Sequence, residues 1–77
     1  LDFIFLISSI DTKTILVGSR NNKTLKNVDV SQLVGKASEF YGGGASKDKE
    51  LSIGGGPSKY DNDKCIQYIT KEFTKNI

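Results

Sequence analysis

Two glycine triplets, Gly42-Gly43-Gly44 and Gly54-Gly55-Gly56, hold six of the eight glycines in this 77-residue chain. Glycine lets other groups approach the backbone closely and permits positive φ, but it loses the most entropy on folding. A chain that concentrates glycine twice therefore ties two places to backbone geometry. Between the triplets lies the short apolar-polar-apolar segment Leu51-Ser52-Ile53. The triplets are expected to be two loops at one end of a small α/β unit, each where a helix meets a strand. A flexible linker is the alternative, and the helical patterns on both sides disfavour it.

Residues 3–10 form a continuous apolar run rich in β-formers. Phe3, Phe5 and Ile7 fall on one side, Ile4 and Leu6 on the other. Two apolar sides predict a strand covered on both faces and central in its sheet. The polar turn Asp11-Thr12-Lys13 leads into a second strand over 14–19, and so short a connection predicts an antiparallel hairpin. Residues 20–27 read as a polar surface loop with three cations, Arg20, Lys23 and Lys26.

A first helix is predicted from Asp29, which has capping-box spacing to Gln32, and Val28 is placed to staple onto Leu33. Val30, Leu33, Val34, Ala37 and Tyr41 then share one face, and Gly42 is the expected left-handed stop. Residues 50–53 read as a short third strand. A second helix follows, capped by Ser58 or Asp61, with Ile66, Ile69 and Phe73 inward and Cys65 at the margin. The order β-β-α-β-α predicts an α/β (α+β) unit with two helices packed on a mixed sheet.

Composition narrows the chemistry. Histidine is absent, which removes the commonest general base, the serine and cysteine triads, and the usual zinc sites. The single cysteine excludes an internal disulfide and a cysteine metal site, and fits a reducing, cytoplasmic setting. The apolar start is too short to span a bilayer and lacks the basic start and cleavage site of a signal peptide, so no membrane partner is expected. No methionine occurs and residue 1 is leucine, so the chain is expected to be one domain, 1–77, cut from a longer protein. The net charge of +2 permits nucleic-acid contact without requiring it.

No segment has the phosphate-loop pattern or a dinucleotide fingerprint. Asp61-Asn62-Asp63 lacks the later ligands of a calcium loop, and no carboxylates pair for acid-base work. The second triplet is expected to meet a helix start, where backbone amides and the helix dipole favour a phosphate. Lys59 and Lys64 are near in sequence, and Lys47 and Lys49 can reach in from the first loop. Phosphates of a nucleic-acid backbone suit that arrangement better than a free nucleotide; a tight turn followed by a helix is the equal alternative. Tyr41 and Tyr60 flank the glycines and can stack on bases, although Tyr41 is better explained as core.

The hairpin over 3–19, the polar loop, the helix ending Val34-Gly35-Lys36-Ala37-Ser38-Glu39-Phe40-Tyr41-Gly42-Gly43-Gly44, the second glycine cluster and the terminal helix together look familiar. This pattern resembles the DHH-associated domain at the C-terminus of alanyl-tRNA synthetases, particularly of archaeal type, across nearly the whole chain. Relatives of that domain occur in alanyl-tRNA editing proteins and DHH phosphoesterases. The family usually separates its glycine clusters by a segment near Arg-Pro-Asp-x-Ala-Gln; here the spacer, 45–53, is longer and worded differently. The histidine of the phosphoesterase motif is missing.

The resemblance implies a non-catalytic module that binds the outer corner of tRNA, serves aminoacylation and editing, and helps form a homodimer. It carries over onto Gly42, Gly43, Gly44, Gly54, Gly55 and Gly56, to which charge and proximity add Lys47, Lys49, Lys59 and Lys64 as tRNA-binding residues. No cofactor is expected here; ATP and zinc belong upstream in the parent ligase. On this reading Gly55→Val damages binding with modest loss of fold. The rivals are a pure oligomerisation module, its first strand covered by a second chain, and the substrate-binding domain of an editing protein or phosphoesterase.

Overall fold

The computed structural model describes residues 2–25 and 27–75. The elements are β1 (Phe3–Ile10), β2 (Lys13–Arg20), α1 (Val30–Glu39), β3 (Leu51–Gly56) and α2 (Asn62–Lys75). The β-β-α-β-α order is the expected one. The sheet order is β1-β2-β3, and both pairings are antiparallel. The sheet is thus antiparallel throughout rather than mixed.

The path of the chain between β2 and β3 explains the direction. The amide of Val30, at the start of α1, donates to the Lys49 carbonyl at 3.1 Å, while the Ser58 amide donates to the carbonyl of Tyr41, beyond its end, at 3.0 Å. The chain therefore climbs α1 and descends again through residues 45–50. On the way down Ala45 bridges to Gly54, and the Ser46 amide donates to the Ile53 carbonyl at 2.9 Å. β3 consequently starts at the end where β2 finishes, and the two run opposite ways.

β1 is an edge strand, with β2 at the centre, so the expectation of a central β1 is corrected. Phe3, Phe5 and Ile7 pack against the core, but Ile4 is 41% and Leu6 59% exposed. Two apolar sides signal two faces that favour cover; in this chain only one face receives it, because both helices lie on the same side.

The core joins Leu16 of β2 to Val28, Val30, Leu33, Val34, Ala37 and Tyr41, and to Cys65 and Ile69 of α2. The stripe predicted for α1 is buried in full. Asp29 caps this helix, its Oδ1 accepting from the amides of Ser31 at 3.0 Å and Gln32 at 3.3 Å. At the other end Gly42 has φ +80°. There the Gly43 amide donates to the Ser38 carbonyl at 3.0 Å and the Gly42 amide to Glu39 at 3.1 Å, the paired bonds of a Schellman motif.

Asp61 rather than Ser58 caps α2, accepting from the amides of Asp63 and Lys64 at 3.0 and 3.3 Å. The inward face of α2 is rotated from the one predicted. Cys65 is fully buried and Ile66 is 47% exposed. Tyr68 accounts for the rotation: its ring lies edge-on to Phe40 at 5.3 Å, so it counts among the apolar positions and shifts the stripe to 65, 68, 69 and 73.

Candidate nucleic-acid interface

The two glycine clusters meet. A Cβ on Gly43 would lie 1.8 Å from the Gly55 carbonyl oxygen, and one on Gly56 would lie 2.1 Å from that of Tyr41. Backbone packs on backbone here, which only glycine allows. The second triplet is not a loop that opens a helix: Gly54, Gly55 and Gly56 form the second half of β3, and α2 begins at Asn62. Its amides are turned to internal use. The Gly55 amide donates to Ser38 Oγ at 2.8 Å, while the register pairs Gly54 with Leu16 and Gly56 with Thr14. Gly42 and Gly44 are exposed, and Gly44 has open space around it.

Gly55 also changes what its substitution does. Its φ is +128°, and an added Cβ would stand 1.9 Å from the Thr14 carbonyl oxygen. Gly55→Val therefore attacks the fold itself, contrary to the modest loss expected from the sequence.

All four candidate lysines are exposed. They form two separate pairs. Lys47 and Lys49 lie by the start of α1, where the Lys49 carbonyl accepts from Val30. Lys59 and Lys64 lie beyond its far end, around the cap of α2 at Asp61. A helix of this length puts about 15 Å between the pairs. The lysines thus border α1 at both ends rather than converging on one phosphate.

The aromatic residues divide as well. Tyr41 is completely buried, and its hydroxyl donates to Asn62 Oδ1 at 2.6 Å. Burial, then the nearby Cys65, pushes its pKa well above the usual tyrosine value. Burial likewise raises the Cys65 thiol, which disfavours the reactive thiolate. Tyr60 stacks on Phe40 at 4.7 Å and meets Tyr41 edge-on at 6.0 Å, while the residue stays 40% exposed.

Two residues that the sequence did not single out hold this region in shape. Ser38 is buried on α1; its hydroxyl donates to the Val34 carbonyl at 2.7 Å while accepting from Gly55. A serine within an apolar helical stripe was the available signal. Arg20 folds the 20–27 loop inward, its Nη1 donating to the carbonyls of Leu25 and Val28. Leu25 is thereby half-buried in a segment read as surface loop, and Val28, expected to staple onto Leu33, is buried beside it. Lys26 lies outside the described residues.

Among the described residues no three histidine, cysteine, aspartate or glutamate side chains gather as metal ligands. No described helix is long and apolar enough to cross a membrane.

No protein-family model matches the chain, and no curated protein matches it in sequence. Among solved structures it is similar to the C-Ala domain from Aquifex aeolicus alanyl-tRNA synthetase. That likeness has a TM-score of 0.80 at 19% identity and covers 94% of this chain. The chain spans 64% of the length of that domain's chain. At this identity the likeness is one of fold.

Proposed function

We propose that this chain is a non-catalytic C-terminal module of an alanyl-tRNA synthetase of archaeal type, one that binds the outer corner of tRNA and supports dimerisation of its parent. The supporting observation is the fold shared with a C-Ala domain across 94% of the chain. The motif resemblance reaches the same family from the residues alone. The parent is then a cytoplasmic, ATP-dependent alanine–tRNA ligase whose ATP and zinc sites lie in other domains.

In this reading the glycine clusters take a structural part. Gly43, Gly54, Gly55 and Gly56 lock the end of α1 to β3, and Gly42 and Gly44 leave the turn open for a backbone to approach. Lys47 with Lys49, and Lys59 with Lys64, contact phosphates at two places on either side of α1. Two contact points about 15 Å apart suit a folded RNA surface better than a single phosphate, and Tyr60 offers a ring to an unstacked base.

Anisotropy titration of labelled tRNA tests the assignment. Lys47→Ala/Lys49→Ala and Lys59→Ala/Lys64→Ala should each weaken binding and each flatten the salt dependence by up to about 2 in log–log slope. An unchanged slope in both pairs contradicts the lysine assignment.

A second reading, an oligomerisation module, is favoured by one specific observation, the uncovered apolar face of the sheet. The two roles are compatible, since the lysine pairs border α1 and the uncovered face lies across the sheet from it.

A further inference from the structure

The two edges of the sheet differ. β3 is overlaid on its outer side: Ala45 bridges to Gly54, and the Ser46 amide donates to the Ile53 carbonyl at 2.9 Å. β1 has no such cover among the described residues. Two bonds fix which of its backbone groups are left. The Asn21 amide donates to the Asp2 carbonyl at 2.7 Å, while the Arg20 amide turns away to the Glu50 carbonyl at 3.0 Å. Direction alternates along an antiparallel ladder, so the even-numbered residues of β1 bond to β2. The N–H and C=O groups of Phe3, Phe5, Ile7 and Ser9 point outward, and no backbone bond from the described residues reaches them.

An edge of this kind is usually blunted by a proline, a lysine, a bulge or shortness. β1 has none of these. Its eight residues include no charged side chain and no proline, and its register with β2 runs unbroken from Phe3 opposite Arg20 to Ile10 opposite Lys13. Beside it, on the helical side, a cavity of about 250 Å³ opens between β1 and α2, lined by Phe3, Phe5, Ile66, Ile69, Thr70 and Phe73. Phe3 stacks on Phe73 at 4.6 Å, tying strand to helix. Phe3 and Phe5 thus turn their backbones outward and also wall the cavity. Residues paired across a ladder share a face. A strand added here sets the residues opposite Phe3 and Phe5 over the cavity.

From this juxtaposition we infer that β1 is a docking edge for an extended segment of another protein, which adds as a fourth strand, apolar at alternate positions and basic at both ends. The row of outward donors and acceptors selects a polypeptide backbone, and the cavity selects apolar side chains on one of its faces.

Charge selects the basic ends. Asp2 and Asp11, both exposed, flank the strand, and Lys13 sits one strand further in, on β2. The same charges disfavour a second copy. Antiparallel self-pairing about the middle of β1 sets Phe3 across from Ser9, and Asp2 across from Ile10, next to Asp11. Like charges then meet at both ends, and a serine rather than an apolar residue falls beside Phe3. None of the four candidate lysines borders the cavity, so this edge adds a function to the RNA reading and does not rest on it.

A capped peptide, Lys-Thr-Val-Thr-Phe-Thr-Val-Thr-Lys, serves as the probe, titrated to about 1 mM into the isotopically labelled chain and followed by amide NMR. The amides of Phe3, Phe5, Ile7 and Ser9 should shift and exchange with solvent about tenfold or more slowly; those of Ile4, Leu6 and Ser8, already bonded to β2, should change less. N-methylation of the valines and phenylalanine removes the donors that face β1 and should abolish binding. N-methylation of the threonines, whose amides face away, should leave it. Thr70→Phe, at an exposed site, should keep the circular dichroism spectrum, fill the cavity and weaken binding about tenfold.

No protection of the four edge amides overturns the inference. So does binding indifferent to which residues are N-methylated, or shifts centred on Ile15 and Ile53 of the open face, which would mark simple apolar adsorption. Edge amides that become protected with rising chain concentration and no peptide would make a second copy the occupant, and overturn it as well.

Discussion

At the scale of single residues, Gly55 and Tyr41 carry much of the architecture. Gly55 combines a φ of +128° with a neighbour 1.9 Å from any added Cβ. A β-branched residue there is strained and sterically blocked at once. Gly55→Val should cost more than about 3 kcal/mol, the range of substitutions that break special backbone geometry, and urea denaturation should show a large loss or no cooperative transition. Tyr41 and Cys65 make stability sensitive to alkali. Burial holds both neutral, raising each above its ordinary value of 10.0 or 9.0. The unfolded chain can ionise at those ordinary values and the folded chain cannot. Stability is therefore fully present below about pH 9 and falls as pH rises through the tyrosine range and beyond. Tyr41→Phe should lose about 1 kcal/mol at neutral pH with its bond to Asn62, yet lose less than the wild-type chain on going to about pH 11. Denaturant midpoints at both pH values measure the difference.

At the scale of elements, much of the fold was legible. The stripe and cap of α1, the hairpin and the β-β-α-β-α order all follow from spacing and turn residues. Four features were not legible, each for a physical reason. Strand periodicity reports which side chains favour cover, not whether cover arrives, so β1 read as central. Sequence gives no distance between segments remote along the chain, so two glycine clusters read as loops rather than as one backbone-on-backbone contact. For the same reason the lysines read as one group rather than two pairs. The face of α2 turned on whether Tyr68 counts as apolar. That last point can be measured. Ile69 is buried and Ile66 half-exposed. Ile69→Ala should cost about 2–5 kcal/mol as a core truncation, while Ile66→Ala should cost under about 1 kcal/mol. Equal losses would restore the face inferred from the sequence.

At the scale of the whole molecule, the sheet divides the protein into two surfaces of different chemistry. The helical side carries the four candidate lysines and Tyr60; the open side is aliphatic, with Lys13 at one end. Such a division lets one small domain touch a polyanion and a second protein surface at the same time. It also fits a module joined to larger domains, because a chain of this size buries only about 60% of its unfolded surface and gains from added contacts. Recognition of folded tRNA is tested by binding of this chain to a tRNA and to an RNA hairpin of equal length across a salt series. Binding to the tRNA should be tighter at every salt concentration, with log affinity falling linearly in log[salt] as lysine–phosphate contacts are displaced. Equal weak binding to both RNAs, or none, would contradict it.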